Sequence, residues 1–253
     1  MNITFLGTGT SQGVPVIACD CTVCQSLDFR DKRFRTSVHI AVDGKSFVID
    51  TGPDFRQQML REKIQSLDAV IFTHEHKDHT AGLDDVRAFN FKQKKDIPVY
   101  ARKIVLDQLR QEFSYIFADV KYPGVPRINT YELDGRPLYI SGVEFIPIEV
   151  MHYKLPVYGF RIKDFTYITD AKTISDDQIE KIKGSKILVL NALQKGDHIS
   201  HFNLQEALEM SKRIGADKTY FTHISHKMGR HKSIESILPE NTFLAHDGLK
   251  ISI

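Results

Sequence analysis

His74, His76, Asp78 and His79 place three imidazoles and a carboxylate within six positions. Packing does not call for such a set, because ionisable side chains go inside only with partners. Residues 68–72 run into it as an apolar, β-branched and aromatic stretch, the pattern of a buried strand, and Gly82 and Leu83 follow. The four residues therefore sit in a strand-to-helix loop. His74 and His76, two apart in extended chain, can converge on one cation; Asp78 and His79, displaced towards the next helix, can converge on a second. Imidazole nitrogen and carboxylate oxygen suit zinc, iron or manganese. A merely solvated polar loop leaves that strand–loop context unexplained.

Cys19, Cys21 and Cys24 are the only cysteines in the chain. C-x-C-x-x-C offers three thiolates in one knuckle and needs a fourth ligand from elsewhere to close a tetrahedral zinc site. Three small buried hydrophobes are the alternative, and a disulfide framework is not expected of three cysteines in a cytoplasmic protein. Just before the knuckle, Gly7, Gly9 and Gly13 punctuate a loop that lacks both the spacing and the lysine of a P-loop.

In its strand–loop context H-x-H-x-D-H resembles the signature of the metallo-β-lactamase superfamily. Leu6-Gly7-Thr8-Gly9-Thr10, then Gln12-Gly13-Val14-Pro15, then C-x-C-x-x-C, resemble the PhnP-type branch, the cyclic phosphodiesterases. The resemblance implies an α/β fold, a four-layer αββα sandwich forming a single domain over residues 1–253. It implies two divalent active-site ions, Mn2+ or Zn2+ with iron also open, and one structural Zn2+. His74, His76 and His152 match the ligands of the first active-site ion, Asp78, His79 and His223 those of the second, and Asp170 the carboxylate between them. His226 matches the residue that closes the cysteine knuckle. His201 matches a histidine that assists the leaving oxygen; His198 competes, but His-x-x-Leu at 201–204 favours His201. Asp50, at a strand end, reads equally as the carboxylate that fixes a ligand histidine's tautomer or as a helix cap.

The elements that must position these residues follow from periodicity. Strands are expected at 3–6, 37–42, 46–49, 97–100, 186–190, 218–221 and 242–245, with Asp43-Gly44 as a hairpin turn and a second strand block from Tyr131 to Ile168. Helices are expected over 83–91, 104–113 and 203–214. Segment 113–126 carries no periodicity. Most of its aromatics read as core, with a substrate cover or a homodimer contact as the other readings.

Length, 42% hydrophobic content and 26% charged residues suit a globular domain with a real core. A net charge of +2 gives no electrostatic footprint for a long nucleic acid. No membrane-length apolar run or signal peptide is legible, so a cytoplasmic protein is expected. The resemblance implies a di-metal phosphodiesterase that hydrolyses small cyclic ribose or nucleotide phosphodiesters through a metal-bridging hydroxide. Its rivals are a transfer-RNA 3′-processing nuclease, for which no basic arm is visible, and a binding protein like the pyrroloquinoline-quinone biosynthesis B proteins, whose active-site ligands tend to be incomplete.

Overall fold

The structure, a computed structural model, describes residues 1–120 and 122–253. Alternating apolar residues generate two seven-stranded mixed sheets. The first is built from β1 (Asn2–Gly7), β2 (Ser37–Val42), β3 (Lys45–Ile49), β4 (Ala69–Ile71), β5 (Ile97–Ala101) and β6 (Ile128–Glu132). The second holds β7 (Leu138–Ile140), β8 (Val143–His152), β9 (Leu155–Ile162), β10 (Phe165–Tyr167), β11 (Ile187–Asn191), β12 (Lys218–Thr222) and β13 (Thr242–Leu244), while β14 (Lys250–Ser252) returns to the first sheet beside β1. In each sheet antiparallel neighbours give way to a parallel set, β3 to β6 in one and β10 to β13 in the other.

Period 2 decides what each face buries. Phe47 and Ile49 point between the sheets with Phe145, Phe160, Tyr167 and Val189. Val48 and Val70 point the other way, against α1 (Phe55–Glu62), α3 (Arg87–Gln93) and α4 (Lys103–Glu112). Leu188 and Phe221 likewise face α6 (Asp176–Ile182), α7 (Leu204–Ile214) and α8 (His231–Glu235). The short helices α2 (Lys77–Thr80) and α5 (Ser114–Phe117) complete the set. The four layers are helices, sheet, sheet, helices.

Two expectations need correction. The second strand block does not begin at Tyr131: β6 starts at Ile128 and pairs parallel with β5, so Tyr131 closes the first sheet. The aromatics of 113–126 are not core. Phe113 and Phe117 are half-buried against the first helix layer, while Tyr115 and Tyr122 are exposed, because no further layer covers this outer segment. Lys121 lies outside the described residues. Helices α1, α6 and α8 were not anticipated, and the helix expected from Leu83 opens as a 3-10 turn before α3.

On the first sheet His39 donates through Nε2 to Ser46 Oγ at 2.9 Å, and that hydroxyl donates to Ser66 O. Burial pushes the His39 imidazole down to about 4, with Glu62 opposing and Lys250 reinforcing. The folded state thus prefers neutral His39 and the unfolded chain protonates it first, near its ordinary value. This part of the stability is complete above about pH 6.5 and is lost as pH falls towards 4, by up to about 3 kcal/mol. Denaturant unfolding at pH 7 and 4.5 checks it: His39→Gln should lose less stability between those two values than the parent does.

Candidate metal centre

The residues that could do chemistry gather where strands end. The loop after β4 carries His74 and His76, and its continuation into α2 carries Asp78 and His79. Asp50 follows β3, His152 ends β8, Asp170 lies three residues past β10, and His223 follows β12. Asp50, Asp170 and His223 all take the left-handed conformation, with φ of 65°, 58° and 56°. Such backbone costs on the order of 1 kcal/mol or more per residue and persists where the surroundings over-determine it. Close backbone approach fixes α2 in place: a Cβ on Gly52 would stand 2.1 Å from Asp78 O, and one on Gly82 the same distance from Gly52 O.

Hydrogen bonds settle which ring nitrogen is free in His74, His79 and His152. Thr73 Oγ1 donates to Asp50 Oδ2, so it accepts from His74 Nδ1 at 2.9 Å and leaves His74 Nε2 free. His79 Nδ1 donates to Asp50 Oδ2 at 2.7 Å. His152 Nδ1 donates to Ser200 O at 2.9 Å. Asp50 therefore orients two histidines at once and caps no helix, the role an outer carboxylate takes around a ligated cation.

The free atoms converge. His74 Nε2 lies 3.0 Å from His76 Nδ1. His79 Nε2, fully buried and without a hydrogen bond, lies 3.2 Å from Asp78 Oδ2 and 3.3 Å from Asp170 Oδ2. His223 Nδ1 lies 3.2 Å from Asp170 Oδ2. Ligand atoms at 2.0–2.1 Å around a tetrahedral zinc stand about 3.3 Å apart, so donors at these separations could share a cation. Asp78, His79 and His223 form one compact group; Asp170 belongs to two others, one with His74 and His79 and one with His152 and His201. The His152 ring approaches that of His76, with centroids 5.2 Å apart.

Electrostatics favours the ligating forms of His74 and Asp170, and without a cation the charged form of His79. Burial holds His74 well below the ordinary imidazole range. Burial opposes ionisation of Asp170, but His223 and His79 beside it hold its carboxyl well below the usual range. Burial also opposes charge on His79, and the carboxylates of Asp78, Asp170 and Asp50 override it and raise that imidazole well above its usual value.

His201 is 7% exposed, with its ring 4.5 Å from His152 and 4.8 Å from His223, and its unpartnered Nδ1 stands 3.7 Å from Asp170 Oδ1. It is no surface residue at a helix start. His198 stays outside, half-buried, 5.1 Å from the His201 ring. Thr73 and the Ser200 carbonyl had escaped the sequence reading. A threonine next to a metal loop is a usable hint, whereas nothing in a sequence marks a carbonyl that orients a histidine.

The knuckle assembles at the far end of the glycine-rich loop. Cys19, Cys21 and Cys24 Sγ stand 3.2, 3.5 and 3.5 Å from one atom, His226 Nδ1. A single ring nitrogen carries one proton or one lone pair and cannot bond three thiols. The four donors are placed so that they could share one cation. Two sulfurs also accept backbone N–H groups, Cys21 from Cys24 and Cys24 from Val16.

The beta-lactamase superfamily domain model matches residues 45–224. A solved structure described as a new diphosphatase from the PhnP family is 40% identical, covers 100% of this chain and 97% of its own, and superposes with a TM-score of 0.93. The chain belongs to the PhnP family of the beta-lactamase superfamily. Among curated relatives, a Porphyromonas gingivalis protein named octanoyltransferase is 39% identical over 256 residues, which is 100% of this chain and 52% of that protein. Ribonuclease Z of Thermoplasma volcanium is 24% identical over 193 residues, 72% of this chain and 57% of the enzyme. The chain thus spans about half the length of these curated relatives. The His and Asp groups gathered here could hold divalent cations. Among the described residues no helix is long and apolar enough to cross a membrane.

Proposed function

We propose that the chain is a two-cation hydrolase of phosphoryl groups that bear two oxygen substituents, with small phosphodiesters as its substrates. The observation that carries this reading is the intact set of seven residues, with aspartates at both 78 and 170, in a chain 40% identical end to end to a PhnP-family diphosphatase. His74, His76 and His152 would hold one ion, Asp78, His79 and His223 the other, with Asp170 between them, and Cys19, Cys21, Cys24 and His226 a structural zinc. Bound there, two divalent cations supply a water acidic enough to attack at neutral pH and a clamp on the non-bridging phosphoryl oxygens.

The chain's own residues do the rest. Asp50, Thr73 and Ser200 keep ring N–H groups turned away from the centre, so that lone pairs face it. His201 is the group placed to move a proton. Burial pushes its imidazole down to about 3, which leaves Nδ1 a neutral acceptor. An anionic phosphoryl group beside it restores the proton affinity that burial removes, and His201 can then pass a proton to the departing alkoxide. His201→Ala should keep its metals and lose about 10²–10⁴-fold in turnover on a poor leaving group. With p-nitrophenolate, which departs without a proton, the loss should be much smaller. Equal losses on both substrates would mean that His201 binds phosphate and donates nothing.

The full-length likeness to a diphosphatase favours a second reading, in which the scissile oxygen joins two phosphorus atoms. Rates on bis-p-nitrophenyl phosphate, a 2′,3′-cyclic nucleotide and a dinucleoside diphosphate separate the two readings. All of these should exceed rates on a phosphomonoester or a β-lactam. Turnover of thioesters with none on any phosphate would defeat both readings.

A further inference from the structure

Asn191 ends β11 and is fully buried, although its side chain is polar. A buried carboxamide costs free energy unless its hydrogen bonds are made. Here they are made to one residue. Asn191 Oδ1 accepts from Ala171 N–H at 2.7 Å, and Asn191 Nδ2 donates to Ala171 O at 2.9 Å. Regular pairing of β10 with β11 ends at Tyr167 and Val189, and Ile168 N–H adds one bond to Val189 O. Beyond that, Asp170 turns into the left-handed conformation at φ 58° and leads the chain out of the ladder. The Asn191 amide takes over there what the backbone of β11 no longer does. Two other parts of the centre adjoin it. Ala171 O also accepts from Phe202 N–H at 2.8 Å, and Phe202 follows His201. In the sheet Asn191 pairs with Thr222, the residue before His223.

We propose that Asn191 is a positioning residue for the metal centre: its carboxamide fixes the peptide between Asp170 and Ala171 and so aims the Asp170 carboxylate. This rests on the two-cation reading of that centre. The Ala171 N–H belongs to the peptide unit whose rotation about Cα–C of Asp170 is that residue's ψ. A left-handed aspartate persists only where its surroundings over-determine it. Two hydrogen bonds from one side chain supply that constraint, from a strand that carries none of the seven candidate ligands. Both polar atoms of Asn191 face Ala171, so it acts through Asp170 and not on a cation. An apolar side chain of the same bulk would fill the space and hold nothing.

Calorimetric titration of Mn2+ into protein stripped of its active-site ions, with the knuckle zinc retained, tests this without reference to turnover. Asn191→Leu keeps the bulk and removes both hydrogen bonds. It should weaken Mn2+ binding by about 10–100-fold, the usual effect of removing a group that orients a ligand. In an Asp170→Asn background the same replacement should change the affinity little further, because its route to the cations is already gone. A residue with a merely structural role would lower Tm and leave the Mn2+ affinity of the folded protein unchanged. Asn191→Asp keeps the acceptor for Ala171 N–H and loses the amide donor; it should fall between the parent and the Leu variant. Parent-like Mn2+ affinity in a folded Leu variant would overturn the proposal, as would parent-like affinity in the Asp variant should the Leu variant not fold. A full additive loss in the Asp170→Asn background would overturn it too. Weakened Mn2+ binding by the variants of a protein that cleaves no diester would keep Asn191 in this role and sink only the hydrolase reading.

Discussion

Asp170→Asn should lower diester turnover by about 10³-fold or more, since several kcal/mol of charge stabilisation go with a displaced cation and each 1.36 kcal/mol is a factor of ten. Asn is the informative replacement. It keeps the carboxylate's shape and tolerates the left-handed backbone that Asp170 adopts at φ 58°. What it removes is the negative charge that faces His79 Nε2 at 3.3 Å, His223 Nδ1 at 3.2 Å and His201 Nδ1 at 3.7 Å. Without that charge, two neighbouring cations lose the group that would screen their mutual repulsion. Metal content by mass spectrometry should fall along with the rate while the circular dichroism spectrum stays that of the parent. A folded Asn variant with full metal content and full rate would remove Asp170 from the centre.

Cys21→Ser should have the second large effect, on stability and not on chemistry. A closed tetrahedral site contributes folding free energy directly, because the unfolded chain offers no preformed cage. Losing a few kcal/mol of it lowers Tm by roughly 10 °C in a chain of this size. One zinc per chain should disappear. The active-site ions should remain in the folded fraction, although His226 is only three residues from His223. The link between them is held independently: Ile224 N–H donates to Thr8 O at 2.8 Å, Thr10 N–H to Ile224 O at 3.2 Å, and Ser225 N–H to Leu193 O at 2.9 Å. Unchanged zinc stoichiometry in the variant would show that the three thiols are packing residues.

Local chemistry made much of this molecule legible in advance. Asp43-Gly44 forms the expected hairpin turn, with φ positive at both residues (51° and 72°), because few other pairs tolerate that backbone. Asn203 caps α7 with its partner Glu206, so the helix begins where the sequence said it should. The spacing of the histidines near 74 could be read directly, since all of them lie in one short stretch from the loop after β4 into α2. The outer segment at 113–126 could not. Periodicity registers burial only when a segment keeps one face against a core, and here buried Ile116 and Pro126 are scattered among half-buried and exposed side chains. Nor could the sequence choose between the two readings of Asp50. Both place a carboxylate at a strand end, and only the position of His79 Nδ1, 2.7 Å away and 29 residues distant in sequence, decides between them. The choice between His198 and His201 is of the same kind. Three residues separate them, and burial beside Asp170 belongs to one.

The most direct test of a two-cation phosphodiesterase is a titration. Protein stripped of its active-site ions but retaining the knuckle zinc is given Mn2+ in sub-stoichiometric steps, and the initial rate on bis-p-nitrophenyl phosphate is followed. Rate that rises to a plateau at about two added ions per chain, with two seats bridged by one carboxylate, is the expected result. A plateau at one ion per chain, or full occupancy with no diester cleaved, would contradict it.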